Sequence, residues 1–229
     1  MRLWIAAAAA ITLMACTQPA ETPTPAQPVS VNVPSGEYAL DPHHTTVHLR
    51  ARHFGLAYYV LRLNQVSGTL QFDADDPTQS SIQATVSTTS LDTPYAGDRD
   101  FDAELQNSEW LNSAEFPTAA FQSTSVEQTG PDTARVTGDL TIKGQTHPIT
   151  LDVTYYASAS PHPLGMQVSM IGFQARGMIT RSQYGLNVLQ PSGGGNDGIA
   201  DQVELVIEAE FTRPIENAPA PETPGEPVN

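Results

Sequence analysis

Val136-Thr137-Gly138-Asp139-Leu140-Thr141-Ile142-Lys143-Gly144-Gln145-Thr146-His147-Pro148-Ile149-Thr150-Leu151 alternates apolar and polar residues on both sides of a short polar break. Val136, Gly138, Leu140 and Ile142 carry one parity, and Ile149, Leu151, Val153 and Tyr155 resume the pattern after Lys143-Gly144-Gln145-Thr146. Period two sends successive side chains to opposite faces of a strand. So short a connection joins the two runs as an antiparallel hairpin, because a parallel pair needs a crossover of a dozen or more residues. The reading predicts a sheet with one wet face.

The same alternation recurs in both directions along the chain. It returns at Val47, Leu49 and Ala51; at Gly68, Leu70 and Phe72; and at Ile82, Ala84 and Val86. It continues at Phe173, Ala175, Gly177 and Ile179, and at Val203, Leu205, Ile207, Ala209 and Phe211. Only Asp98 to Leu111 reads as helical, with Phe101, Leu105, Trp110 and Leu111 near one side. About eight or nine strands with one helical excursion close either as a sandwich or as a barrel, and about eight strands make the smallest barrel that holds a ligand. Gly68, Gly138, Gly177, Ala51, Ala84, Ala175 and Ala209 share the apolar parity. Such small residues either relieve crowding at tight bends or leave an elongated apolar cavity, and at this point both readings stay open.

Composition narrows the functional classes. With 229 residues, 10 basic and 25 acidic side chains, the formal charge is −15, which disfavours nucleic acid as a partner. A single cysteine excludes an intramolecular disulfide and any multi-thiolate metal site. Charged residues make up 15%, below the roughly 25% of ordinary soluble domains, as suits half-buried strands rather than charged helices.

The ends read as targeting and tethering segments. Residues 1–15 form a lipoprotein-type signal peptide, Arg2 preceding an apolar stretch too short to span a bilayer. Leu13-Met14-Ala15-Cys16 resembles a bacterial lipobox, which makes Cys16 the expected lipidation site and, with Thr17 after it, points to outer-membrane sorting. Residues 16–35 are a Pro/Thr-rich tether and 214–229 an acidic, Pro-rich tail. The expected folded unit is 36–213, in a protein of the bacterial periplasm attached to the outer membrane.

Within that unit, Asp41-Pro42-His43-His44-Thr45-Thr46-Val47 and Arg52-His53-Phe54-Gly55 resemble the opening of the YceI-like family of bacterial lipid-binding proteins. Ser67-Gly68-Thr69-Leu70-Gln71-Phe72-Asp73, Ser90-Leu91-Asp92-Thr93, the hairpin quoted above and Arg181-Ser182-Gln183-Tyr184-Gly185 follow in the family's order. The resemblance implies an all-β fold: an eight-stranded antiparallel, lipocalin-like barrel with one short helical excursion. It also implies a tunnel for a long-chain polyisoprenoid or isoprenoid quinone, bound without covalent attachment. Expected tunnel-lining residues are Phe54, Phe101, Leu105, Trp110, Phe116, Phe121 and Phe173; core packing is the competing role for each. His44, His53, Arg181 and Tyr184 are expected at the ligand head group or as motif positions that pin the strands.

The residues also bear on metal binding and catalysis. His43, His44, His48 and His53 cluster, but strand parity separates His44 and His48 from His43 and His53, so no metal site is expected. No Gly-x-Ser-x-Gly, His-Glu-x-x-His or phosphate-cradling glycine loop occurs in the sequence, and the expectation is a non-catalytic protein. The alternative to a lipid carrier is a filled barrel that serves as an envelope interaction or stress-response module.

Overall fold

The computed structural model describes residues 31–216. The signal peptide, Cys16 and most of the tether and tail lie outside the described residues. The strands are β1 (Gly36–Leu40), β2 (Thr46–His53), β3 (Ala57–Leu63), β4 (Val66–Phe72), β5 (Ser81–Ser87) and β6 (Leu91–Asp92). After one helix, α1 (Phe101–Gln106), come β7 (Thr118–Gln128), β8 (Thr133–Ile142), β9 (Gln145–Ala159), β10 (Val168–Thr180) and β11 (Ile199–Pro214).

The pairing runs β1-β4-β5-β7-β8-β9-β10-β11, and β11 returns to β1 through Ala39 opposite Thr212 and Leu40 opposite Phe211. These eight strands close an antiparallel barrel, as the resemblance implies, which decides between the sandwich and the barrel that alternation left open. Three further strands, β2, β3 and β6, continue the sheet from β11 beyond this ring, and Val47 and Leu49 of β2 and Leu63 of β3 still face the bore. Along one edge, β11 holds β2 from Ile199 to Glu208 and then β1 at Phe211 and Thr212. The chain crosses between these two partners in the loop Asp41 to Thr45, where Glu210 O accepts from Asp41 N at 2.8 Å and Thr45 Oγ1 accepts from Glu210 N at 3.3 Å.

The quoted hairpin forms β8 and β9 with Ile142 opposite Gln145. Lys143 and Gly144 take φ of 49° and 71°, the double left-handed turn whose twist matches two antiparallel strands. Apolar residues fill three clusters along the barrel: Tyr38, Phe72, Ile171 and Phe211 in one, Leu140, Leu151, Ile179 and Leu205 in the next. The third joins Val47, Leu63, Leu91 and Leu105, and so docks α1 on β2, β3 and β6.

Two boundaries differ from the sequence reading. Val33, assigned to the tether, is buried in the first cluster, and Arg213 donates to Ser35 O at 2.7 Å, tying the start of the barrel to its last strand. The helix is shorter than Asp98 to Leu111. Asp100 caps it by accepting from Ala103 N, and Asn107 ends it in extended backbone. The Asn107 side chain then accepts from Glu109 N and Trp110 N, a local turn that competes with another helical rung.

Candidate functional site

Inside the ring lies one elongated cavity of about 300 Å³. Its wall is built by parity: Ile82, Ala84 and Val86 of β5, Val136, Leu140 and Ile142 of β8, Ile149, Leu151 and Val153 of β9. Phe173, Ala175 and Ile179 of β10 and Leu205, Ile207, Ala209 and Phe211 of β11 complete most of the circumference. Among the described residues no charged side chain lines it, and the polar contributors are Thr45, Ser80, Ser81, Thr85 and Thr88. Three of their hydroxyls serve the backbone. Thr88 Oγ1 donates to Phe116 O, Ser80 Oγ accepts from Asp73 N, and Thr45 Oγ1 accepts from Glu210 N.

The small inward residues divide by role. A Cβ on Gly138 would meet Gln122 O at 2.4 Å and the Phe121 ring at 2.5 Å, and one on Gly177 would meet Leu151 Cδ2 at 2.6 Å. These glycines allow close packing and leave no space behind. Ala84, Ala175 and Ala209 face the void. Both roles left open by the sequence are therefore present, at different positions.

One end of the bore is lined by the segment after α1, which is held where Lys143 Nζ donates to Trp110 O at 2.8 Å and Thr88 Oγ1 to Phe116 O at 2.8 Å. Leu111 from this segment and Leu186 from the loop before β11 reach the cavity. The other end is looser. Strand β5 pairs with β7 only as far as Gln83 opposite Gln122, and the last rung is Ile82 N donating to Ser123 Oγ. Strand β7 then bulges between Ser123 and Ser125 and runs on with β8 alone. The bulge moves the inward parity from Phe121 to Val126, so both line the bore. Pro77, Ser80 and Ser81, between β4 and β5, complete this rim.

The expected site residues fall in several places. Phe121 and Phe173 are in the wall. Phe101, Leu105 and Trp110 are instead packed into the α1 cluster, Phe116 lies against Gly144 of the hairpin turn, and Phe54 sits on the outer rim, edge-on to His53. The bore itself takes Phe72, Phe121, Phe173 and Phe211, whereas Phe101 and Trp110 pack into the layer that α1 adds.

None of the four expected head-group residues lines the bore. Arg181 is buried and donates from Nε to Ala200 O at 3.0 Å, from Nη2 to Ile199 O at 2.8 Å and from Nη1 to Leu186 O. It clamps the loop before β11. Burial pulls its guanidinium below the usual range, and the nearby Asp201 charge opposes this. Tyr184 is buried edge-on to His147, and burial raises its phenol. His53 is exposed and stacks on Phe54. His44 is exposed and binds Asp41 Oδ2 through Nδ1 at 2.9 Å, with Glu210 at 4.0 Å.

His44 therefore gathers with two carboxylates, Asp41 and Glu210, and not with the other histidines. Its Nδ1 is engaged by Asp41, so the group is an ion pair across the β1–β2 crossing. The wall residues marked neither by aromatic type nor by alternation, such as Leu40, Leu63, Leu111 and Leu186, come from strand ends and loops, where alternation carries no signal.

A closed antiparallel barrel around an apolar bore, with a polar outer face, is the architecture of a protein that encloses a hydrophobic ligand. Residues 38–211 match the YceI-like domain, and the chain belongs to that family. It is 31% identical over 179 residues to Protein YceI of Escherichia coli O17:K52:H18, covering 77% of this chain and 86% of that protein. Protein YceI of Salmonella arizonae is 32% identical over the same shares. Among solved structures, Burkholderia cenocepacia BcnA aligns with a TM-score of 0.62 at 23% identity, over 75% of this chain and 98% of that one. A polyisoprenoid-binding domain from Saccharophagus degradans, implicated in plant cell wall breakdown, aligns with a TM-score of 0.55 at 13% identity, over 77% and 98%. At these identities the two structures speak for the shared fold.

Proposed function

We propose that this protein binds the apolar tail of a polyisoprenoid or isoprenoid quinone in its bore and holds it without covalent change. The observation that carries the reading is a cavity of about 300 Å³ inside the barrel with a nearly all-apolar wall and no charged lining among the described residues. That volume is at the lower end of the roughly 300–1,000 Å³ of small-molecule sites. A tail longer than the bore leaves through the looser rim at Pro77, Ser80 and Ser81. Burial contributes about 0.8 kcal/mol per methylene, so about ten enclosed carbons supply roughly 8 kcal/mol, enough to offset the lower part of the ~4–15 kcal/mol cost of association.

The uncharged wall also sorts head groups. Burying a diphosphate without a partner costs far more than the tail regains, so such a head stays outside, whereas a neutral quinone-type head can enter the rim. Family membership and the likeness to a polyisoprenoid-binding domain support the same class of ligand. Location in the periplasm, on the outer membrane through acylated Cys16, belongs to the same proposal and rests on the Leu13-Met14-Ala15-Cys16 motif.

Organic-solvent extraction of the natively purified protein followed by mass analysis tests this reading. A long-chain isoprenoid in stoichiometric amount is expected. A stable, empty protein whose melting temperature ignores added polyprenol or quinone overturns it, since a ligand at a hundredfold its Kd stabilises by about 2.7 kcal/mol. That result would return the barrel to the role of an envelope interaction module.

A further inference from the structure

The β2–β3 hairpin presents a second surface, on the side of the sheet that faces away from the bore. From Thr46 to Gln65 the sequence holds Arg50, Arg52 and Arg62 and no carboxylate, within a chain of net charge −15. The register sets Arg50 opposite Val60 and Arg52 opposite Tyr58, and the Tyr58 ring lies 4.5 Å from the Arg50 guanidinium and 5.0 Å from that of Arg52. Four acids come near this face, among them Glu208, the register partner of Thr46, and Asp197, next to the Gly198 whose carbonyl accepts from Phe54 N. Glu204 binds Arg50 at 2.6 Å and Arg176 at 3.4 Å, and Asp92 is the register partner of Arg62. Arg52 has no ion pair among the described residues.

The hairpin tip is apolar and exposed. Phe54 and Gly55 both turn through left-handed backbone, with φ of 50° and 69°, a conformation uncommon for a residue other than glycine. Leu56 is 83% exposed and Leu189, in the neighbouring loop, 54%. Two backbone bonds join these segments in one rim: Phe54 N donates to Gly198 O at 2.7 Å, and Ile199 N to Leu189 O at 2.8 Å. Aliphatic tips backed by arginine and tyrosine combine apolar insertion with attraction to anionic lipid. The acidic remainder of the protein is repelled by the same surface, which orients the molecule with this hairpin inward.

The geometry points to the β2–β3 hairpin, with Leu189 beside it, as the surface by which this protein docks on an anionic phospholipid bilayer. Docking here stands apart from what the bore contains, and lipid extraction does not bear on it. The test uses the full chain carrying Cys16→Ser and Leu56→Cys, labelled with a polarity-sensitive fluorophore. It is mixed with vesicles of phosphatidylglycerol and phosphatidylethanolamine, or of phosphatidylcholine alone. A blue shift is expected with the anionic vesicles only, weakened at least tenfold by Arg52→Glu with Arg62→Glu and by raised salt. The same dye on Leu164→Cys, an 84% exposed position in the loop before β10, should not shift. Absence of a shift at position 56, an equal shift at position 164, or an equal response to phosphatidylcholine overturns the proposal. A shift that follows protein concentration without vesicles also overturns it, in favour of a second copy of the chain. Should the double arginine variant fail to fold, the vesicle and salt comparisons on the unaltered arginines decide the matter.

Discussion

The Phe121 ring of β7 occupies the space that a side chain at Gly138 of β8 would need: a Cβ there would lie 2.5 Å from Phe121 Cζ. The glycine lets a large aromatic lie along the wall, so the bore keeps its width beside it.

Gly138→Ala should therefore displace Phe121 and narrow the bore. Because the new Cβ would also lie 2.4 Å from the backbone oxygen of Gln122, the strand must shift as well, and overpacking of this kind costs about 1–3 kcal/mol. Adding Phe121→Leu should recover only part of that loss. Urea denaturation of the single and double variants checks it, and full recovery would show that the ring alone sets the width.

Filling the void should separate ligand binding from folding. Ala175 faces the cavity from β10, with Val153 and Ile207 as its register partners. In Ala175→Phe the new ring has empty space to enter, so the overpacking penalty should fall below about 1–3 kcal/mol. Retained isoprenoid should drop at least tenfold, read by extraction, while the melting temperature moves by only a few degrees. Undiminished lipid content would place the ligand elsewhere.

Arg181 should behave as a structural clamp. Its guanidinium serves the carbonyls of Leu186, Ile199 and Ala200, and at about 1 kcal/mol per buried hydrogen bond Arg181→Met should cost roughly 3 kcal/mol. Arg181→Lys should recover little, since one ammonium cannot span three carbonyls. Hydrogen exchange in residues 186–199 should quicken in both variants. Loss of ligand with unchanged stability would restore the head-group role expected from the sequence.

The His44–Asp41 pair should titrate in opposite senses. The hydrogen bond that His44 donates to Asp41, then the charges of Asp41 and Glu210, raise His44 above the ordinary imidazole range. For Asp41, burial pushes upward, but the His44 hydrogen bond and the backbone N–H groups of His43 and His44 outweigh it and hold the carboxyl low. A raised histidine contributes below its unfolded pKa and loses that contribution as pH rises through its folded value. A lowered aspartate contributes above its unfolded pKa and loses it as pH falls through its folded value. The pair should thus be intact between those two folded values and weaken on either side. In an NMR titration the His44 midpoint should lie above about 6.5 and return toward it in Asp41→Asn. Identical midpoints in the two proteins would mean that the pair does not form in solution.

Alternation made most of the bore legible. The inward sets written out for β5, β8, β9, β10 and β11 reappear in the cavity wall except for Gly138, Tyr155, Gly177 and Val203, because side-chain direction in a strand is local. Choosing site residues by type worked poorly. Phe101 and Trp110 belong to a layer that exists only because α1 docks on β3 and β6, and Arg181 turned out to hold a loop and to lie off the cavity. The parity change across the Ser123–Ser125 bulge leaves no mark in residue types, so Val126 could be found only from the pairing.

The residues alone determined that the chain alternates, where its hairpin turns, that its inner face is aliphatic and that its outer face is polar, since each follows from neighbours within a few positions. Tertiary structure alone decided that eight strands close while β2, β3 and β6 extend the sheet beyond the ring, and that Gly138 and Gly177 are packed against while Ala84, Ala175 and Ala209 face the void. It also brought Leu189 beside Leu56 and the arginines of the β2–β3 hairpin. Those outcomes depend on contacts between segments far apart in sequence, such as Leu40 with Phe211 and Gly138 with Phe121, whose geometry no local pattern encodes.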